Sequence, residues 1–87
     1  MDALPKYQEL IDPMLKELSS AARPMTNSEI ELSVIKSLGI PNDLVSLIHS
    51  GNRTELQYRL AWARTLAKQK GLITNVGRMT WKAIPQK

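Results

Sequence analysis

The hydrophobic period of this chain changes once, at Gly71. Before that point apolar residues recur at helical spacing, and after it they alternate. A chain of 87 residues patterned in this way builds helices first and a hairpin last, around one core. Tyr7, Leu10, Ile11, Met14, Leu15 and Leu18 form the first buried stripe, on a helix starting near Pro5. Pro13 interrupts it and is expected to kink or restart the helix, with Asp12 as the new N-cap. Ala21 to Met25 reads as a connector with a residue or two of edge strand. Thr26-Asn27-Ser28-Glu29 is a capping box, in which hydroxyl and carboxylate reciprocally satisfy free N–H groups. The helix it opens runs to about Leu38, burying Ile30, Val34, Ile35 and Leu38, and Gly39 stops it. Ile40 to Asp43 opens a short further turn or helix carrying Leu44, Val45, Leu47 and Ile48, and His49 to Asn52 reads as a loop.

Thr54-Glu55-Leu56-Gln57 is a second capping box, and its helix continues to Lys70, closed by Gly71. Its inward stripe is read as Leu56, Leu60, Ala63, Leu66 and Ala67, with Trp62 on the margin. Gln57, Ala61, Arg64, Thr65 and Lys68 are assigned to the opposite side, with Tyr58 beside them. That outer face carries no acid. In the hairpin, Gly77 is expected to make the turn, and Met79, Trp81 and Ala83 alternate with Arg78, Thr80 and Lys82 before Pro85 ends it.

Composition excludes several classes of function. The longest apolar run, Leu60 to Ala63, is far short of the roughly 20 residues of a membrane span. The N-terminus lacks the layout of a signal peptide. With no cysteine there are no disulfides and no thiolate metal sites, and one histidine, His49, makes no zinc cluster. A soluble module of the cytoplasm is expected, with no membrane partner. No Glu-x-Lys tripeptide, glycine-rich phosphate loop or Ser-His-Asp set is present. No catalytic residue, metal ligand or cofactor is therefore assigned.

Charge is unevenly placed. Residues 1–43 hold seven acids and four bases, whereas residues 44–87 hold one acid, Glu55, and eight bases. Such asymmetry is an electrostatic footprint for a polyanion. Three to four helices, one of them capped and basic outside, followed by a hairpin with a basic face, make a winged helix-turn-helix: mainly α, with a small β-hairpin. In that architecture the helix opened by Thr54 enters the major groove and the wing touches adjacent backbone.

The residues also resemble a known family. Tyr7 to Leu15, with Pro13 inside the helix, is similar to the opening Tyr-x-x-x-(apolar)-x-Pro-x-Leu signature of the Mrr N-terminal domain. The likeness continues through Leu38-Gly39-Ile40, Ser50-Gly51, Arg59-x-x-Trp62-Ala63 and Gly71-Leu72-Ile73, and closes on the Gly77 hairpin bearing Trp81. It departs at Ala67, where the family usually has Leu, and at Tyr58, where Asn is usual. The resemblance implies that residues 1–87 are one DNA-reading domain of a modification-dependent, Mrr-type restriction endonuclease of prokaryotes. The nuclease would belong to a fused, following domain. The implied partner is double-stranded DNA, modified bases among its targets; a homodimer of the full-length protein stays open.

The candidate DNA-binding residues are Arg53, Gln57, Tyr58, Ala61, Arg64, Lys68, Arg78 and Lys82. Gln57, Tyr58 and Ala61 are placed toward bases, Arg78 and Lys82 toward backbone, and Arg64 toward either. Trp62 and Trp81 are read as core. Arg59 is divided between a pairing with an acid of the first helix and a phosphate contact. Two other classes stay open: a winged-helix adaptor docking an acidic protein, and a stand-alone transcriptional regulator.

Overall fold

The computed structural model describes residues 4–85. Helix α1 (Tyr7–Ala21) leads through β1 (Met25–Thr26) into α2 (Asn27–Leu38), followed by the short α3 (Asn42–Val45). A small hairpin, β2 (Ile48–Ser50) and β3 (Arg53–Thr54), precedes α4 (Glu55–Gln69), and the wing is β4 (Ile73–Gly77) with β5 (Thr80–Ala83). Strand β5 lies between β1 and β4 in an antiparallel three-stranded sheet, pairing Met25 with Trp81 and Thr74 with Lys82. The molecule is mainly α with a small antiparallel sheet: a winged helix.

Both capping boxes form. Thr26 Oγ1 accepts from the Glu29 N–H while Glu29 Oε1 accepts from the Thr26 N–H. Thr54 and Gln57 repeat the exchange at the start of α4. Gly39 closes α2 at φ 63°, a left-handed conformation cheap only for glycine. The core joins Leu10, Met14 and Leu18 of α1 to Ile30 and Val34 of α2, Leu56 and Leu60 of α4, and Ile73 of β4.

Five expectations are corrected. Helix α1 begins at Tyr7 and does not restart: Pro13 is carried inside it and Asp12 caps nothing. Leu10 and Ile11 before the proline and Met14 and Leu18 after it are all buried, so packing keeps both turns in one continuous helix despite the lost hydrogen bond. Residues 49–52 are not a plain loop but the end of a bulged hairpin, with Ile48 opposite Thr54 and Ser50 opposite Arg53. The wing turns one step later than Gly77. Met79, at φ 53°, takes the left-handed position, leaves the apolar face and is 59% exposed. Leu47 and Ile48, expected on the short turn or helix opened by Ile40 to Asp43, lie past the end of α3, Ile48 in β2, and both are exposed.

The helix wheel of α4 needs the largest correction. Arg64 is buried and Trp62 is 48% exposed, the reverse of their assigned positions. Leu60 and Arg64 are four residues apart, so they lie one above the other on a single helix face. Tyr58, Trp62, Thr65 and Gln69 belong to the outward face by the same rule. Gln57, Ala61, Arg64 and Lys68 therefore form a flank of α4 rather than its back.

Candidate nucleic-acid interface

Arg59, Glu55 and His49 are already paired with one another. Arg59 donates from Nε to Glu55 Oε2 at 2.8 Å and from Nη1 to the Leu4 and Pro5 carbonyls at 2.9 and 3.0 Å. Its task is to tie α4 to the segment entering α1. Its acid belongs to its own helix rather than to α1. The other oxygen of Glu55 accepts from His49 Nδ1 at 2.9 Å. The Arg59 and His49 hydrogen bonds hold the Glu55 carboxyl below its ordinary value.

Among the described residues the remaining ion pair is Arg23–Glu29. Among the described residues, Arg53, Arg64, Lys68, Arg78 and Lys82 enter none. They do not all converge. Lys82 borders an apolar groove with Leu15, Leu18, Arg23 and Pro85, on a surface apart from the others. Arg53 and Arg64 instead line one cavity of about 240 Å³, bounded by the start of α2, the flank of α4 and Met79 of the wing. Arg78 is exposed beside Met79 at the wing tip, and Lys68 is exposed one turn beyond Arg64 on α4. Burial pushes the Arg64 guanidinium below its ordinary pKa; Arg53 acts in the same direction and Glu31 opposes them.

Two structural ties bring these elements together. Trp81 Nε1 donates to Asn27 Oδ1 at 2.8 Å, and the Asn27 N–H donates to the Met79 carbonyl at 2.9 Å, so the wing is fastened to the first turn of α2. Gln57 spans the other side: its Oε1 accepts from the Thr54 N–H and its Nε2 donates to Glu31 Oε1 at 3.3 Å. Both ends of the Gln57 amide are thus engaged within the protein, at odds with a free side chain poised for bases.

The outward face of α4 is aromatic. Tyr58 stacks on His49 with ring centroids 3.8 Å apart and meets Trp62 edge-on at 6.5 Å. Trp62 also leans on Tyr7, at 6.3 Å. Arg53, Tyr58, Ala61, Trp62 and Thr65 line a shallow depression there. The Thr65 hydroxyl donates back to the Ala61 carbonyl, leaving its methyl group to the surface. Sequence reasoning missed Trp62 as an accessible residue, although its place four residues after Tyr58 was the signal. It also passed over Asn27 and Ser28, whose capping-box setting explained them locally.

Among the described residues no group of three or more histidine, aspartate or glutamate side chains is placed to hold a metal ion. No helix there is long and apolar enough to cross a membrane. Comparisons with curated proteins and with solved structures return no match. A family model described as the Mrr N-terminal domain matches residues 7–86, spanning α1 through the wing. With that match over nearly its whole length, the chain belongs to the Mrr N-terminal domain family.

Proposed function

We propose that this domain reads duplex DNA and guides target choice for a restriction nuclease fused to it, without catalysing a reaction itself. One observation carries the reading. Apart from Arg59, the arginines of the basic half enter no ion pair among the described residues, and they border α4 and the wing. A polyanion supplies the missing counter-charge. Arg53, Lys68 and Arg78 meet phosphates, which position the domain. Tyr58 and Ala61, near the middle of the accessible α4 surface, face base edges. Gln57 joins them only by releasing Glu31. Lys82 extends the contact along the wing only if the duplex curves around β5. Modified bases are among the targets that this surface would distinguish.

The test is the affinity of the domain for duplexes of several sequences across a range of salt. The three phosphate contacts of Arg53, Lys68 and Arg78 give a log–log slope of roughly −3, brought to roughly −4 where Lys82 joins them. Binding insensitive to salt, or none at low salt, overturns the reading. Tight binding to an acidic protein in the absence of DNA binding would favour the adaptor class instead.

A further inference from the structure

Arg64 combines two properties that rarely occur together. Only 9% of its surface is exposed, and its guanidinium makes no hydrogen bond or ion pair among the described residues. A guanidinium has five N–H donors and stays charged when buried. No buried side-chain nitrogen among the described residues lacks a partner, so the Arg64 nitrogens keep their solvent contact through the cavity, and a largely desolvated cation open only there favours an acceptor arriving from outside.

The other side of the same cavity is the start of α2. The first N–H groups of a helix lack partners within it. Here three are satisfied: Thr26 by the Glu29 carboxylate, Asn27 by the Met79 carbonyl and Glu29 by the Thr26 hydroxyl. The Ser28 N–H has no partner among the described residues, and Ser28 lines the cavity. Asn27 is oriented as well. An indole N–H only donates, so the Asn27 oxygen faces Trp81 and its NH₂ group remains available.

We propose that this cavity, between Ser28 at the start of α2 and Arg64 on α4, is a seat for one phosphodiester phosphate. Arg64 supplies a planar fork suited to two phosphate oxygens, and the Ser28 N–H and hydroxyl meet the group from the helix end. Arg53, exposed at the rim, closes over it. Charge sets the class of ligand. Arg53 and Arg64 face one acid, Glu31, so the cavity carries a single net positive charge. That complements the single negative charge of a phosphodiester, whereas a phosphate dianion leaves one charge uncompensated in the cavity and costs more to desolvate. The seat deepens the DNA reading and rests on it for its natural ligand, a backbone phosphate next to the groove that α4 enters.

The test follows the Ser28 amide and Arg64 side-chain N–H resonances during titration with dimethyl phosphate, inorganic phosphate and a DNA duplex. Dimethyl phosphate and the duplex are expected to shift both resonances saturably, with inorganic phosphate at neutral pH weaker than the diester. Arg64→Met keeps an apolar stem in the slot and should weaken the response about tenfold, the scale of a lost charge-assisted hydrogen bond. Arg53→Met, at an exposed position with little bearing on folding, should weaken it severalfold. Tighter binding of inorganic phosphate than of the diester, or full binding by both variants, overturns the proposal. Duplex binding that leaves both resonances unmoved overturns the seat and leaves the DNA reading standing. Diester binding at these groups without duplex binding supports the seat and removes the DNA reading.

Discussion

Arg64 and Lys68 differ by one helical turn yet belong to different environments, and stability measurements should separate them. Lys68→Glu alters an exposed residue and is expected to stay within about 0.5 kcal/mol of the parent in urea unfolding. Arg64→Glu places a buried carboxylate beside Glu31 and should cost about 3 kcal/mol or more, as an uncompensated buried charge does. Arg64→Met, apolar and of similar length, should be neutral or stabilising in the same assay. Equal effects of the two glutamate substitutions would show that Arg64 faces solvent. Glu55 provides a pH signature. Its carboxyl is held below the ordinary value of 4.5 by Arg59 and then His49, so the unfolded chain binds the proton more readily. Its contribution is complete above that ordinary value and is lost as pH falls through the lower folded one. Unfolding measured from neutral into acid pH should show this decline, and Glu55→Gln should flatten it.

The wing depends on two local features that a pattern of alternation does not contain. Trp81 pins it to α2 through one indole hydrogen bond, so Trp81→Phe should cost about 1 kcal/mol and speed amide exchange in β4 and β5. Unchanged exchange would mean that the sheet pairing with β1 holds the wing alone. Met79 sits at φ 53° with its side chain largely exposed. Met79→Gly relieves the left-handed penalty and loses little packing, giving a change between neutral and about 1 kcal/mol stabilising in thermal unfolding. Within α4, Leu60→Ala opens a cavity at a residue 1% exposed and should cost roughly 2–5 kcal/mol.

For the whole molecule, positioning and reading should be separable on a panel of modified and unmodified duplexes. Arg78→Ala, at the wing tip, should weaken binding to all of them alike and flatten the salt slope by about one. Tyr58→Ala should change the preference among duplexes, because Tyr58 lies on the accessible surface of α4. If the wing variant changes selectivity and the helix variant does not, the reading element is the wing. Gln57→Ala has a double consequence. It removes a capping partner and the tie to Glu31, so about 1 kcal/mol of stability should fall with any change in DNA preference.

The amino-acid order by itself determined the three long helices, the two capping boxes and the presence of a wing, but not where its turn falls. Capping boxes, glycine stops and hydrophobic period act over three or four residues, where chain connectivity already brings the groups together. It also determined which half of the chain is basic and carried the family signature from Tyr7 to Trp81. Tertiary structure alone decided which of those bases are spent. Arg59 is consumed by carbonyls 54 and 55 residues away in sequence, while Arg64 is buried without a partner against the start of α2. Pro13 stayed inside α1 because side chains on both sides of it reach the same core. Asn27 and Ser28 became part of a cavity only when Trp81 fastened the wing over them. Such outcomes depend on distances between segments far apart in the chain, and no local spacing encodes those.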